Sequence, residues 1–265
     1  MLKKLFLFAI TIFLFVNCRP VQETEQFWKN INLNSQFEPF VFVFSNTEIS
    51  TCAEHGQPKL EEVLSGAVNG IDANTVNGVM MYPSISDPQY SNIAEELKFL
   101  FDQNGNNTLE TYPAYVNNLV CYNTDSAGWH NSIVNQLNSG SPKIKLGIYA
   151  SESVGTLKVY VRGSYSSNIS SDHSIAVYAF RKEELANQTT SSGTELFTMK
   201  SKVISSLTPT VGKLLDGSQS EEIKEIFTLE LDGENLGNLG VVAIVYELEN
   251  NKPVSVINSI SLENL

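Results

Sequence analysis

PFVFVFSNTEISTCAEHGQPKLEEVLSG, residues 39–66, decides how the chain is read. The opening PFVFVFS is apolar at nearly every position, the pattern of a strand covered on both faces rather than one with a wet side. Ser45 to Thr51 interrupt the run, and Cys52 follows. Pro58 then stands at the first position of a helix whose Leu60, Val63 and Leu64 share a face before Gly66 closes it. The order is strand, turn, helix, with a single thiol just ahead of the helix.

The alternation continues downstream. NGVMMYP (77–83) reads as a second buried strand, and SNIAEELKFLFDQNG (91–105) puts Ile93, Leu97, Leu100 and Phe101 on one helical face with Glu95 and Glu96 in the first turn. YPAYVNNLVCYN (112–123) predicts a hairpin turning on Asn117-Asn118, which sets Cys121 across from Ala114. DSAGWHNSIVNQLNSG (125–140) is an amphipathic helix built on Trp129, Ile133, Val134 and Leu137. After Ser141 the texture changes. KIKLGIY, TLKVYVRGSY, HSIAVYAF, IFTLEL, GVVAIVYEL and PVSVINSISL are strand-like, and only ELFTMKSKVI (195–204) suits a helix as well as a strand. The expected architecture is therefore α/β plus all-β, with an α/β domain over 38–140 and an antiparallel β-sandwich over 141–265. Tyr160 and Tyr178 on the sandwich are either a binding face or ordinary strand residues.

The 265 residues carry a net charge of −12, so nucleic acid is excluded as a partner by phosphate repulsion. His55, His130 and His173 have no metal-ligand spacing, and neither metal nor cofactor is expected. The N-terminus, MLKKLFLFAITIFLFVNC, has Lys3 and Lys4, an apolar run from Leu5 to Val16, then Asn17 and Cys18. That run is shorter than the roughly 20 residues a membrane-spanning helix needs, and it fits a cleaved signal peptide over 1–17. Its end, Phe15-Val16-Asn17-Cys18, resembles a bacterial lipobox, although Phe15 and Asn17 depart from the commonest form. The resemblance implies a diacylated Cys18 and an anchor in the outer membrane, with the polar residues 18–37 as a tether. An ordinary secretory peptide is the alternative.

The first domain has the element order of a thioredoxin fold, and Thr111-Tyr112-Pro113 sits where that fold places a proline facing the active-site turn. Together with the sandwich and the lipobox, TYPAYVNN, KIKLGIYAS and the closing NLGVVAIVYELENNKPVSVINSISL make the chain resemble the twenty-eight-kilodalton outer-membrane adhesin family of Gram-negative bacteria. The resemblance implies an outer-membrane or surface protein, facing either the periplasm or the outside, that binds an unknown protein or host ligand. It also aligns Ile49 with the nucleophilic cysteine and Cys52 with the resolving one. Isoleucine cannot form a thiolate, so the redox site defined by Ile49, Cys52 and Pro113 is expected to be degenerate and the protein not an enzyme. Three readings of Cys52 stand: inert packing, a disulfide with Cys121, and a reactive thiol. The last would make the chain a periplasmic one-cysteine thiol–disulfide oxidoreductase, with His55 near the thiol and Glu54 opposing its ionisation. A disulfide is disfavoured because two strand spacings, about 9.6 Å, exceed the Cα separation of about 7 Å that a bridge tolerates.

Overall fold

The computed structural model describes residues 24–102, 114–116, 120–122, 126–138, 141–215 and 222–265. Cys18 and Pro113 lie outside the described residues, as does the side chain of Cys121. The chain forms two units, Met1–Asn32 and Leu33–Leu265. The described part of the first contains a short helix, α1 (Glu25–Asn30), whose N-cap Thr24 accepts a hydrogen bond from the Phe27 amide at 3.2 Å. The stretch expected to be a tether thus carries a helix. Its last residues belong to the second unit, where Asn34 bridges Leu146.

In the second unit, β1 (Phe40–Phe44) is buried along its whole length, as its unbroken apolar run requires. It pairs in parallel with β2 (Asn77–Met81) and antiparallel with β3 (Ala114–Val116), which pairs with β4 (Val120–Tyr122). Tyr115, not Ala114, faces Cys121, because three residues rather than two connect these strands. β4 lies on the far side of β3 from β1, as the disulfide geometry assumed. A π-helical turn (Cys52–Gly56) and α2 (Gln57–Leu64) link β1 to β2; α3 (Asn92–Asp102) and α4 (Ser126–Leu137) follow. Gly78 lets α2 sit close, since a Cβ there would stand 2.7 Å from Leu60 Cδ1.

The rest is strand: β5 (Ile144–Ser153), β6 (Thr156–Tyr165), β7 (His173–Thr190), β8 (Gly193–Ser206), β9 (Lys213–Leu214), β10 (Ile223–Glu230), β11 (Leu239–Glu249) and β12 (Lys252–Leu262). The ambiguous segment at 195–204 is part of β8. A three-stranded sheet, β10-β6-β5, lies against a nine-stranded one ordered β12-β11-β7-β8-β2-β1-β3-β4, with β9 attached to β7. The fold is therefore mixed α/β with one large mixed sheet and a second small one. The large sheet crosses the expected boundary near Ser141 through a single parallel pair, Met80↔Lys202.

Three apolar clusters hold these layers together. Val159 and Val161 of the small sheet meet Val177, Val241 and Val245 of the large one. On the other face of the large sheet, Phe42, Phe44, Phe101 and Tyr115 join Tyr178, Phe180, Val242 and Tyr246. The third cluster sets Val41, Val43, Leu60, Trp129 and Ile133 against Ala186 and Met199. Two of the three clusters therefore draw on both sides of residue 140. Tyr160 and Tyr178 are buried, and Tyr178 donates to the Thr210 carbonyl at 2.5 Å, so neither forms an exposed face.

Candidate functional site

The end of β1 leads straight into the cysteine-bearing turn. Ser45 N–H donates to the Met81 carbonyl at 2.7 Å, which carries the parallel pairing one residue further. Asn46 then closes a side-chain turn, its Oδ1 accepting from Glu48 N–H at 2.7 Å. The Cys52 amide donates to the Ile49 carbonyl at 3.1 Å. Asp87, buried in the loop after β2, accepts from the Thr47 amide at 2.6 Å, the Thr47 hydroxyl at 2.9 Å and the Gln89 amide at 2.7 Å. One carboxylate thereby fixes the turn to the strand beside it.

Cys52 opens the π-helical turn and is 1% exposed. Burial pushes its thiol pKa up and the charge of Asp87 pushes the same way, outweighing the lowering hydrogen bonds from Asn46 and Ser45. Burial first, and the charge of Asp87 second, also raise the Tyr82 hydroxyl at the foot of the turn. The expected antagonist of the thiolate, Glu54, is instead exposed and accepts from the Ser191 amide at 3.3 Å. His55 is exposed as well. Ile49 is half-buried, and its carbonyl serves two donors, the Cys52 amide within the turn and the Gln188 side chain from outside it.

What covers the turn is the long β7–β8 hairpin. Gln188, 3% exposed, aims its amide at the Asn46 carbonyl at 3.3 Å and the Ile49 carbonyl at 3.1 Å. Beside it the Thr189 amide donates to the Thr47 carbonyl at 2.7 Å. Further along, Gln57 Nε2 of α2 donates to the Thr198 carbonyl at 2.6 Å, and Lys200 pairs with Glu61 at 3.2 Å. At the hairpin's root Lys202 Nζ bonds Gln89 and lies 3.2 Å from Glu184, which Arg181 also pairs at 2.7 Å. Burial alone would raise the Glu184 carboxyl, but the Arg181 hydrogen bond and the charge of Lys202 hold it below the usual range. Chemically, the turn offers a protonated, enclosed thiol beside an aliphatic side chain.

The structure thus brings Ile49 and Cys52 together, whereas Pro113 is outside the described residues. Sequence reasoning missed Gln188, Asp87 and Lys202. For Gln188 the available signal was TTSSG (189–193), a turn between two segments, which marks a hairpin reaching back toward the α/β half.

No protein-family model matches the chain, and no curated protein matches it. Among solved structures, HBP35 of Porphyromonas gingivalis superimposes with a TM-score of 0.70 at 14% identity, covering 88% of this chain and 76% of that one. A structural-genomics protein of Agrobacterium tumefaciens gives 0.60 at 14% identity, covering 88% of this chain and 96% of that one. At this identity the likeness is one of fold.

Proposed function

We propose that this chain is a lipid-anchored envelope protein with a binding role, in which a thioredoxin-like half has lost its redox chemistry. The thioredoxin-like reading rests on the strand order β2-β1-β3-β4, with β1 and β2 parallel and β3 and β4 antiparallel, and on helices between them in the expected order. The observation that carries the loss of chemistry is the burial of Cys52 in a turn that Gln188 ties to the β7–β8 hairpin, with Ile49 in the place of a nucleophile. A thiol–disulfide enzyme needs an exposed, low-pKa sulfur, and this one is enclosed and shifted up. Binding to an unknown protein or host ligand follows from the resemblance to the adhesin family, and the outer-membrane anchor from the lipobox at Cys18.

Insulin reduction by the purified protein tests the chemistry; turnover no faster than the uncatalysed reaction is expected. Turnover that disappears in Cys52→Ser would replace this reading with the one-cysteine oxidoreductase. Mass spectrometry of the mature N-terminus tests the anchor separately. An acylated Cys18 is expected, and an unmodified N-terminus elsewhere refutes it.

A further inference from the structure

We propose that strand β10 pairs edge to edge with β10 of a second copy of this chain, joining two small sheets into one continuous sheet. β10 stands at the end of the small sheet, laddered to β6 without a register shift from Ile223↔Gly163 to Glu230↔Thr156. Its other edge makes no backbone hydrogen bond among the described residues. Such an edge is a template for a further strand unless something blunts it. The other strands at sheet ends are blunted. β12 carries Pro253 and its ladder shifts register twice, while β4 is three residues long. β5 is bridged by Asn34, whose amide donates to the Leu146 carbonyl at 2.7 Å. β10, by contrast, runs for eight residues without proline or glycine. The one charge on its core-side row, Glu225, is neutralised by Lys213 at 2.7 Å.

The charge pattern of the strand selects a second copy as the occupant. Ile223, Phe227 and Leu229 face the core, so alternation places Lys224, Ile226, Thr228 and Glu230 in one row on the outer side. A two-fold axis normal to the sheet keeps each row on its own side, and only residues of the same row then stand opposite. With Phe227 on the axis, Lys224 stands opposite Glu230 of the second copy, and Ile226 opposite its Thr228. Both ends of the pairing thereby gain a Lys–Glu pair. Directly opposite residues have Cβ atoms about 4.5–5.5 Å apart, within reach of such a pair. Moving the axis to Ile226 would set Glu222 against Glu230, and moving it to Thr228 would set Ile226 against Glu230, so one register is favoured. Glu230 is exposed, accepts from the Thr156 hydroxyl at 3.1 Å, and has no cation partner among the described residues. Main-chain bonds would supply the affinity and these pairs the choice of partner. The pairing is separate from the buried thiol and does not depend on the anchor at Cys18.

Exchanging the two charges tests the pairing. Lys224→Glu and Glu230→Lys both change the outer row, and circular dichroism checks that each variant is folded. Analytical ultracentrifugation of the purified protein reads its mass at concentrations up to about 100 μM. Excess detergent keeps the apolar N-terminus from associating. The wild type is expected to be dimeric at the top of that range. Each single variant places like charges opposite one another at both ends and should dimerise roughly tenfold more weakly. An equimolar mixture of the two single variants should recover dimers, because the mixed pair restores both Lys–Glu contacts, and the double variant Lys224→Glu/Glu230→Lys should recover them as well. A wild type that stays monomeric, single variants that dimerise as the wild type does, or failure of both recoveries would each overturn the proposal.

Discussion

Replacing Gln188 by alanine should unlatch the hairpin from the cysteine turn. Its amide spans two carbonyls, at 3.3 Å to Asn46 and 3.1 Å to Ile49, and both would lose that donor beneath the hairpin. Bonds of this kind contribute about 0.5–1.5 kcal/mol each, and both carbonyls keep a backbone donor, Ile49 N–H on Asn46 and Cys52 N–H on Ile49, so hairpin opening should become easier by about 1–3 kcal/mol. Each 1.4 kcal/mol is a factor of ten, which makes opening roughly five- to 140-fold more frequent. Cys52 is 1% exposed, so its alkylation must wait for such an opening. The assay is iodoacetamide labelling under native conditions, with the Cys52 peptide followed by mass spectrometry and rates referred to the unfolded chain. Wild-type Cys52 should label slowly and the variant faster by the factor above. Wild-type labelling at the unfolded rate would show that the thiol is not covered; an unchanged rate in the variant would show that Gln188 does not hold the cover.

Phe101→Ala removes a ring that packs against Phe42, Phe44 and Tyr115 at centroid distances of 5.1, 6.1 and 5.2 Å. It should cost about 3–5 kcal/mol in chemical denaturation. Because that cluster reaches across residue 140, calorimetry should show one transition; two resolved transitions, or soluble folded halves split at Ser141, would favour independent domains. Glu38 is buried, its carboxylate receives the side-chain amides of Asn34 and Asn77, and burial raises its pKa above 4.5. A raised folded-state pKa stabilises the protein at low pH and loses that contribution as pH climbs through the folded value. The stability of Glu38→Gln relative to wild type should therefore rise with pH above 4.5, and a constant difference would contradict the assignment. Cys52→Ser should lower stability by about 1–3 kcal/mol, the cost of a poorly satisfied hydroxyl in a closed site, measured by urea denaturation.

Strands and helices were legible where periodicity was strong. PFVFVFS became β1, TLKVYVRGSY became β6, and Ser126–Leu137 became α4. The distal half of β7 was not, because RKEELA is rich in residues that favour helix and carries charges that hide a two-residue period. Burial of Ala186 and Gln188 against a turn some 140 positions earlier in the chain overrode that preference, and no local pattern announces such a contact. The same holds for Asp87, an ordinary loop acid until its three donors are seen. Ile49 and Cys52 were legible as members of one turn after β1, but the hairpin above that turn was not. The pairing of β2 with β8 joins segments over a hundred residues apart and left no trace in either.

That pairing has a mechanical consequence. The two wings of the nine-stranded sheet share one rung, Met80↔Lys202, while the neighbouring strands on either side are laced by long ladders. A parallel seam one rung wide resists shear poorly, and its load passes to side chains: Phe42 against Tyr246 above the sheet, Met80 beside Met199 below it, and Lys202 bonded to Gln89 at the edge. Twist can then accumulate separately in each wing, because no continuous ladder enforces a common strand angle. Force applied along the chain would part the wings at this line before it unravelled either one.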